Sequence, residues 1–515
     1  MALLTASWAV DGILLLMPFT AFLYYLLTRN YKYWAKRGVM EIPRTPLLGN
    51  FGDCMLGRTS PSEYLQGLYN KSKGLPYMGF YIFNKPYFLA RDPNLVKHIL
   101  VKDFNIFGDR HGTADDTHDR LGYANLFLIK NPEWKMLRTK LTPIFTTGKL
   151  KRMFDLMLLI AKDLEQHLDA RNLEGDGKTI ELKDLCANFT TDMIASTAFG
   201  LRVKSLEDPK AQFREVGREI FGYDLRRSLE FIIIFFLPEY IKYTRPKFFG
   251  KNASDFLRNV FWDVINERIN SKQKRNDLID LLIELRQKHG NDKDMEGFDF
   301  NGDDLVAQAA VFFTGGFETS STTMSFTLYE LALQPDIQKT LRNEIHEALE
   351  ESDGKITYEM VMTLPYLDMV ISETLRKYPP LAFLDRVTSE DYKVPNSDLV
   401  LEKGTPVYIP MMGIHRDPEY YPDPDKYDPL RFTEENKQKR PNFTYFPFGE
   451  GPHICIGSRL GLMQSKLGIV QVIKDYEVMP CDKTTVPMVL DPRGLTTTAR
   501  DGLYVKFRKL TTAAE

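Results

Sequence analysis

Residues 442–461 read N-F-T-Y-F-P-F-G-E-G-P-H-I-C-I-G-S-R-L-G, and apolar residues at helical spacing follow them. The pattern predicts a glycine-bearing loop that delivers Cys455 to the start of a helix. Gly449, Gly451 and Gly457 allow positive φ and a close approach of the backbone to a flat ligand. Backbone amides near a helix start hydrogen-bond a thiolate, and the helix dipole lowers the pKa of its thiol. The stretch therefore favours a thiolate bound to a metal, and its glycine spacing does not match a dinucleotide-binding fingerprint.

The composition predicts a folded globular protein, of one large domain or two to three ordinary ones, that does not bind nucleic acid. The chain has 515 residues, of which 43% are hydrophobic and 26% charged, as in a globular protein with a large core. This balance excludes a disordered tail protein and a multi-span transporter. The 67 basic and 69 acidic side chains nearly cancel, so no overall positive field attracts nucleic acid.

The four cysteines are scattered and show no paired or C-x-x-C spacing. Neither a disulfide framework nor a zinc site is indicated, so the cysteines are expected to be free thiols in a reducing compartment. The ordinary role of a free cysteine is that of a small buried hydrophobic residue. We apply it to Cys54, Cys186 and Cys481, because only Cys455 has a sequence context that indicates chemistry.

The amino terminus has a different composition from the rest of the chain. Residues 12–28 contain no charged side chain, which is close to the shortest run that crosses the hydrocarbon core as a helix. A cleaved signal peptide is the alternative, but a basic segment before the run and a small-residue cleavage site after it are both missing. Arg29, Lys32, Lys36 and Arg37 follow, and the positive-inside rule places this flank in the cytosol. We therefore predict a signal anchor over residues 1–28, with a short tail in the lumen.

The remainder divides into a connector and one catalytic body. Residues 29–50 are basic and contain prolines that stiffen a short linker. Residues 51–515 contain no repeat and no Gly/Ser-rich linker, so a single large domain is predicted. Strand patterns occur at residues 77–90 and 503–507, and most of the chain between them has helical spacing. The expected fold is mainly α, with small β-sheets and one preceding transmembrane helix.

An apolar run at residues 231–237 (F-I-I-I-F-F-L) is too short to span a bilayer. It is followed by Pro238 and by the basic residues Lys242, Arg245 and Lys247. The sequence leaves two interpretations open: contact with the membrane surface, or a buried core segment.

The cysteine loop also matches a known family pattern. The residues Phe448-x-x-Gly451-x-x-x-Cys455-x-Gly457 resemble the haem-binding signature of the cytochrome P450 superfamily. The resemblance extends over essentially the whole chain. It implies a large helical domain that holds haem b, with Cys455 as the thiolate ligand of the iron and Phe448, Gly451 and Gly457 around it.

The second segment of the resemblance is G-G-F-E-T at residues 315–319, within a helix predicted from about residue 302 to 332. Two adjacent glycines inside a helix cost about 1 kcal/mol each relative to alanine, which indicates a functional opening. In the family this is the distal helix, whose local distortion leaves room for dioxygen beside the iron. Glu318 and Thr319 would organise protons or water there as catalytic residues. The alternative is an ordinary helix in which Thr319 hydrogen-bonds its own preceding turn.

Two further segments complete the resemblance. Glu373 and Arg376 stand three residues apart on a predicted helix, and Arg431 in P-L-R-F can complete a buried triad whose role in the family is structural. The haem propionate contacts would come from Trp134, Arg138, Arg110 and Arg386. At the position two before the cysteine, where many relatives have arginine, this chain has His453, and we expect that contact to be weaker or pH-sensitive.

The substrate pocket is predicted by position within the family pattern, and its members are apolar: Phe127, Phe312, Gly315, Leu381, Ala382 and Leu384. Residues 101–104 (V-K-D-F), 134–145 and 447–452 (P-F-G-E-G-P) resemble insect microsomal detoxification enzymes most. This resemblance implies a monooxygenase that inserts one oxygen atom from O2 into a lipophilic xenobiotic, plant toxin, insecticide or endogenous lipid.

The expected partners follow from the lack of a motif for an electron-supplying cofactor in the sequence. The chain carries no flavin or nicotinamide motif, so electrons would come from NADPH through a separate flavoprotein reductase, with cytochrome b5 as a further candidate. Basic residues on the expected proximal side could form its docking patch, although solvated charge is the ordinary role of each: Lys135, Lys140, Lys149, Lys151, Arg152, Lys439 and Arg440. The expected location is the endoplasmic reticulum membrane, single-pass, with the catalytic domain in the cytosol.

Two other functions remain compatible with a haem-thiolate site. An isomerase or dehydratase that needs no external electrons would keep Cys455 but would not need a proton-relay residue, and Thr319 argues against it. A haem sensor or a membrane scaffold would bind haem without turnover. Substrate-dependent product formation with NADPH and reductase separates these functions from a monooxygenase.

Overall fold

The computed structural model describes residues 5, 7–45, 48–222, 224–275, 277–289 and 298–510. Residues 1–4 and 6 of the predicted anchor lie outside this range. So do residues 46–47 of the predicted linker and, within the predicted catalytic domain, residues 223, 276, 290–297 and 511–515.

Helices dominate the described residues, as the sequence predicts. The α-helices are α1 (Trp8–Thr28), α2 (Gly52–Met55), α3 (Pro61–Lys71), α4 (Pro93–Lys97), α5 (Arg120–Ala124), α6 (Glu133–Leu141), α7 (Thr147–Asp169), α8 (Leu182–Ile194), α9 (Gln212–Ile220), α10 (Leu225–Phe236), α11 (Ile241–Thr244), α12 (Lys251–Ser271), α13 (Leu278–His289), α14 (Asp303–Leu333), α15 (Pro335–Glu351), α16 (Tyr358–Thr363), α17 (Pro365–Lys377), α18 (Met411–His415), α19 (Glu434–Lys439) and α20 (Ser458–Ile473). Short 3₁₀ turns lie at Ala35–Arg37, Thr142–Phe145, Pro238–Tyr240, Pro429–Phe432 and Gly451–His453, and π turns at His98–Lys102 and Ala195–Phe199.

The strands of the described residues form small sheets. They are β1 (Tyr77–Ile82), β2 (Lys85–Ala90), β3 (Lys178–Glu181), β4 (Leu384–Val387), β5 (Tyr392–Lys393), β6 (Val400–Leu401), β7 (Pro406–Ile409), β8 (Tyr476–Met479) and β9 (Tyr504–Lys509). The sheet orders are β1-β2-β7-β4, β3-β9-β8 and β5-β6, with β2 and β7 parallel. The mainly α fold with small sheets is confirmed, and the predicted strands at 77–90 are an antiparallel hairpin.

Helix α14 is the central element of the fold. It packs against α5, α8, α17 and α20, and most of its side chains are buried. Asp303 and Asp304 lie in its first turn, where negative charge stabilises the helix dipole. Its bounds agree with the predicted distal helix to within one residue, because a long apolar helix with polar ends is a strong sequence pattern.

The amino-terminal segment consists of an exposed helix and a packed connector. Helix α1 has 21 residues, long enough to cross a membrane, and its apolar side chains are largely exposed. Asn84 donates a hydrogen bond of 2.8 Å to the carbonyl of Leu26 near the end of α1. The connector after α1 is packed against the sheet: Trp34 is fully buried and donates to the carbonyl of Phe80 at 3.3 Å. The linker therefore lies on the body rather than apart from it.

The apolar run at residues 231–237 belongs to the core. It forms the end of α10, and Phe231, Ile232, Ile234, Phe235 and Phe236 are buried. Its aromatic rings pack inside the protein, where Phe236 stacks on Tyr408 at 4.9 Å. Of the two interpretations left open by the sequence, the geometry favours the buried core segment.

Candidate active site

A large internal cavity lies between α14, α20 and the cysteine loop. It contains about 1870 Å³ of empty space, including the part that is open to solvent. Its lining combines one cysteine, several arginines and many apolar side chains, which is typical of a small-molecule binding site. Cys455 and Thr319 both line it, one from each side.

The cysteine loop is fixed by backbone hydrogen bonds and by a required glycine. The amide of Cys455 donates to the carbonyl of Phe448 at 2.8 Å, and the amide of Gly449 donates to Phe446 at the same distance. Gly451 has φ +72°, and a Cβ atom there would lie 2.0 Å from the carbonyl oxygen of Leu100. Only glycine fits this position, so the loop conformation is set by its sequence. The helix α20 begins three residues after the cysteine.

The thiol of Cys455 faces the cavity in an environment of mixed polarity. Burial raises its pKa, while a hydrogen bond from the amide of Gly457 and the charges of Arg138 and Arg110 oppose that rise. The amide of Gly457 lowers the pKa, as the sequence predicts for a cysteine at a helix start, but burial has the larger effect. A bound metal ion deprotonates a coordinating thiol outright, so the raised pKa does not prevent ligation.

Three arginines border the cavity near the cysteine. Arg110 contacts the carboxylate of Asp385 at 3.2 Å, and Arg386, only 1% exposed, donates to the carbonyl of the same residue at 2.6 Å. The Nε atoms of Arg110 and Arg386 are buried and have no hydrogen-bond partner among the described residues. Burial and the charge of Arg110 lower the pKa of Arg386 to about 9. Arg138 donates to the carbonyl of Ile454 at 2.7 Å.

His453 occupies a packed, neutral environment. Its ring lies on Trp134, with the centroids 3.7 Å apart and the planes tilted by 33°. Its Nε2 atom is 2.8 Å from the carbonyl oxygen of Gly108, which can only accept, so Nε2 carries the proton. Burial and the charges of Arg386 and Arg110 lower the pKa of His453 far below its usual value. Of the two expected outcomes, a weaker or a pH-sensitive contact, the lowered pKa favours the weaker one, with His453 neutral and packed on Trp134.

The distal side of the cavity is formed by α14. Gly315 faces open space, whereas a Cβ atom on Gly316 would lie 2.5 Å from the side chain of Ile194. The Thr319 hydroxyl lines the cavity and donates to the carbonyl of Gly315 at 2.6 Å. The helix runs without interruption through both glycines, so α14 is not broken at this point. One glycine opens the cavity and the other permits close helix packing.

Glu318 lies outside the cavity wall, although its neighbour in sequence lines it. Its carboxylate contacts Nζ of Lys183 at 2.9 Å and accepts a hydrogen bond of 2.9 Å from Thr496. The two side chains point in different directions because consecutive helical residues are about 100° apart. The structure therefore does not bring Glu318 and Thr319 together on the cavity surface.

Most of the predicted pocket residues line the cavity. Phe127, Phe312, Gly315, Leu381 and Leu384 do so, as do all of the predicted cofactor-binding residues except Gly451, which packs against the carbonyl of Leu100 instead. Ala382 does not: its carbonyl accepts from the amide of Met412 at 2.9 Å. The sequence analysis missed further lining residues, which come from elements far apart in the chain: Leu126, Ile194, Phe235, Phe383 and Leu495. The apolar run of α10 was the one sequence feature that could have indicated Phe235.

The predicted triad assembles beneath the cysteine loop. Arg376 makes two hydrogen bonds to the Glu373 carboxylate, of 2.7 and 2.8 Å, and also donates to the carbonyls of His415 and Pro424. Arg431 lies 3.4 Å from Glu373, within ion-pair distance but without hydrogen-bond geometry at its Nε. His415 accepts from the amide of Phe446, which begins the cysteine loop. The triad therefore supports the loop and does not enter the cavity.

The predicted basic patch consists of exposed and paired residues. Lys135, Lys151 and Arg152 are exposed, and Lys151 forms an ion pair with Glu359. Lys439 pairs with Glu435, and the Arg440 guanidinium lies over aromatic rings, 4.7 Å from that of Phe432. These contacts agree with solvated charge as the ordinary state of each residue.

The residues present fit a flat macrocycle that carries carboxylates and an iron. The buried Nε atoms of Arg110 and Arg386 lack acceptors within the described part of the chain, and propionate groups are suitable acceptors. The described residues contain no cluster of three His, Cys, Asp or Glu side chains for a metal ion. A metal at Cys455 therefore needs its other ligands from a cofactor, and haem b meets this requirement.

Comparison with known proteins agrees with this geometry. Residues 41–507 match the family model described as Cytochrome P450. The chain is 46% identical over 527 aligned residues to "Cytochrome P450 6k1" of Blattella germanica, covering 99% of each chain. It is 43% identical to "Probable cytochrome P450 6g2" of Drosophila melanogaster, covering 93% of this chain and 95% of that one. The match spans the cysteine loop, the distal helix and the triad, and the chain belongs to the cytochrome P450 family of haem monooxygenases.

Proposed function

We propose that this P450 monooxygenase inserts one oxygen atom from O2 into a lipophilic xenobiotic, plant toxin, insecticide or endogenous lipid. The observation that carries the proposal is the cavity that Cys455 and Thr319 share, since its remaining lining is mostly apolar. An apolar lining with few polar groups selects lipophilic molecules, and the shape of the cavity then determines their orientation. The relatives named above are insect proteins, which supports a detoxification or lipid-oxidising role.

The side chains around the cavity have distinct tasks in this reaction. When bound, haem b supplies the iron that activates dioxygen. Cys455 would hold that iron as a thiolate, and Arg110, Arg138 and Arg386 would hold the carboxylates. Trp134 and His453 pack beside these cations and keep water from them. Excluding water protects the reaction from side pathways.

Thr319 is the proposed proton-handling residue on the distal side. Its hydroxyl lines the cavity, and its proton is directed to the carbonyl of Gly315. The oxygen lone pairs therefore remain available to accept from a water molecule or a reacting oxygen. Glu318 is held by Lys183 and Thr496, so any catalytic part it plays would be indirect.

We propose that electrons come from NADPH through a separate flavoprotein reductase. The exposed cations Lys135, Lys151 and Arg152 support a docking surface, because complementary charge increases association rates. Cytochrome b5 is a further partner proposed on the family resemblance alone.

The proposed location is the endoplasmic reticulum membrane, with the catalytic domain in the cytosol. Helix α1 supports single-pass anchoring because it is apolar, exposed and 21 residues long. Arg29, Lys32 and Lys36 follow it, and cationic flanks remain on the cytosolic side.

The reduced, carbon monoxide-bound spectrum tests the thiolate assignment. We expect a band at about 450 nm, because thiolate ligation shifts the haem spectrum. Cys455→Ser should abolish the band, while the matched change Cys481→Ser should leave it intact. A band that persists in Cys455→Ser would place the iron ligand elsewhere.

The Thr319→Ala variant tests the proton-handling role. With NADPH, reductase and a panel of lipophilic substrates, the ratio of product to NADPH consumed should fall several-fold relative to the wild type. Thr314→Ala is the control, since Thr314 lies on the same helix, is buried and bonds its own preceding turn. An unchanged ratio of product to NADPH in Thr319→Ala would contradict the proton-handling role. If the wild type forms no product from any substrate of the panel, a haem sensor would be favoured.

A further inference from the structure

One wall of the cavity is built by a segment without regular secondary structure. Leu126 and Phe127 line the cavity and follow the end of α5. Such a segment has no ladder of backbone hydrogen bonds to hold it, so its position must come from other contacts. The shape of the cavity on this side depends on those contacts.

A buried side chain on α14 provides contacts that hold this segment in place. Gln308 is fully buried on α14, and its Nε2 atom donates to the carbonyl of Ala124 at 2.8 Å. Its Oε1 atom accepts from the amide of Leu126 at 3.0 Å. The same Nε2 donates to the carbonyl of Asp304 one turn earlier, which fixes the orientation of the amide group. Gln308 therefore holds the backbone on both sides of Asn125.

The held segment is ordered within itself and directed into the cavity. Asn125 is fully buried, donates to the carbonyl of Gly122 at 2.7 Å and accepts from the amide of Phe127 at 2.9 Å. The Phe127 ring lies 6.2 Å from that of Phe235 and 4.2 Å from the guanidinium carbon of Arg110. A shift of this segment would therefore move an aromatic wall between the substrate space and an arginine of the cofactor site.

We propose that Gln308 is a positioning residue that sets ligand size selectivity by fixing the Leu126–Phe127 wall through its side-chain amide. A group that both donates and accepts is needed, because one backbone carbonyl and one backbone amide must be satisfied together. Loss of these bonds leaves the wall to be ordered by the incoming ligand, which lowers the affinity for large ligands. The inference rests on the proposed function, since it places ligands beside a haem iron in this cavity.

The test compares two nitrogen ligands that bind haem iron and differ in size. Imidazole is small, whereas 4-phenylimidazole carries an additional phenyl ring that we expect to meet the Leu126–Phe127 wall. Absorbance titration of the full-length holoprotein gives each affinity. Gln308→Met, which keeps the length but removes both hydrogen-bonding groups, should weaken 4-phenylimidazole by roughly tenfold. It should leave imidazole within about twofold, because imidazole does not depend on the wall.

The control is Thr327→Val, which removes a buried hydroxyl of the same helix that contacts Thr374 at 3.0 Å. It should change neither affinity. In a Phe127→Ala background, Gln308→Met should have little further effect on 4-phenylimidazole, since residues that act through one another are non-additive. Equal weakening of both ligands, or the same effect from Thr327→Val, would overturn the proposal.

A wild-type measurement covers the case in which Gln308→Met does not fold. The amide of Leu126 should be protected from hydrogen exchange to the degree of the distal helix, because it donates to a buried acceptor. Exchange as fast as in an exposed loop would overturn the proposal. Absence of the band at about 450 nm in the wild type would instead refute the haem-thiolate function.

Discussion

Two buried arginines of this protein show how the same side chain serves two purposes. Arg376 and Arg386 are 0% and 1% exposed, so neither is solvated by bulk water. Arg376 is bonded to the Glu373 carboxylate and to backbone carbonyls, and although burial lowers its pKa, Glu373 raises it above the usual value. Arg386 donates to one backbone carbonyl, and its Nε has no partner among the residues that the structure describes; burial and Arg110 lower its pKa to about 9.

The difference separates a structural cation from a binding cation. A buried charge is stable only when it is paired and hydrogen-bonded. Arg376 meets this condition within the chain, so its contribution is complete when the protein folds. Arg386 does not, and it borders the cavity, so its charge is stabilised when an anionic ligand arrives.

The largest expected effect comes from breaking the buried ion pair between Glu373 and Arg376. Glu373→Gln leaves Arg376 buried without its carboxylate, and unfolding should become easier by about 3–5 kcal/mol. The thermal midpoint and the yield of protein with the thiolate-haem band should both fall sharply. Glu477→Gln is the control, because Glu477 pairs with the half-exposed Arg508 and surface pairs contribute little. Equal losses of stability in Glu373→Gln and Glu477→Gln would refute the distinction between a structural and a binding cation.

Removing the binding cation should affect the cofactor more than the fold. Arg386→Gln should weaken haem binding by about 10–100-fold, the effect of one charge-assisted hydrogen bond in a buried site. The rate of haem transfer to an acceptor apoprotein measures this change, and Arg386→Lys, which keeps the charge, should lose less. The apoprotein of Arg386→Gln should unfold at a midpoint no lower than the wild type. A strongly destabilised apoprotein would make Arg386 a structural residue.

The buried His415, which accepts from the amide of Phe446, should make the stability of the fold fall at acidic pH. Burial and the charges of Arg376 and Arg440 lower the pKa of His415 to about 3, against 6.5 for an exposed histidine. Between these values the unfolded chain takes up a proton that the folded protein does not, so stability falls as the pH drops below 6.5. The loss approaches about 1.4 kcal/mol per pH unit for this one group.

Thermal midpoints at pH 7.5 and 5.5 test the histidine. The loss between them should be smaller in His415→Gln, which keeps a neutral acceptor for the amide of Phe446. His111, whose burial lowers its pKa to about 3, contributes equally in both proteins, so the difference reports on His415. Identical losses would show that His415 is not the group responsible.

The smallest expected effect is at the third member of the triad. Arg431 is 3.4 Å from Glu373 and donates to the carbonyl of Asp423 at 2.9 Å. Arg431→Gln should lower stability by about 1 kcal/mol, because its contact with Glu373 lacks hydrogen-bond geometry. Chemical unfolding measures the change, and a loss as large as that of Glu373→Gln would mean that all three members act as one unit.

The sequence predicted best those features that are encoded locally. The cysteine loop, the bounds of α14 and the Glu373–Arg376 pair each depend on residues close together in the chain. A glycine that must have positive φ and two charges three residues apart on a helix can be recognised without knowing the tertiary structure. The mainly α fold was predicted from the same kind of periodic pattern.

The features missed depend on how distant elements face each other. The sequence placed Glu318 and Thr319 together, but the rotation of α14 directs Glu318 to Lys183 on α8. It placed Ala382 in the pocket, whereas Leu381 and Phe383 on either side line the cavity and the Ala382 carbonyl accepts from the distant amide of Met412. The lowered pKa of His453 follows from its burial and from the charges of Arg386 and Arg110, which no local pattern identifies.

The buried Trp34 has a practical consequence for preparing a soluble fragment. Its indole fills the space above Gly79, where a Cβ atom would lie 2.3 Å from the ring. A truncation after residue 50 would remove Trp34 and expose the apolar face of β1, and such exposed surfaces promote aggregation. A truncation at residue 29 would remove the exposed α1 and keep Trp34. For expression without detergent, the cut therefore belongs directly after α1.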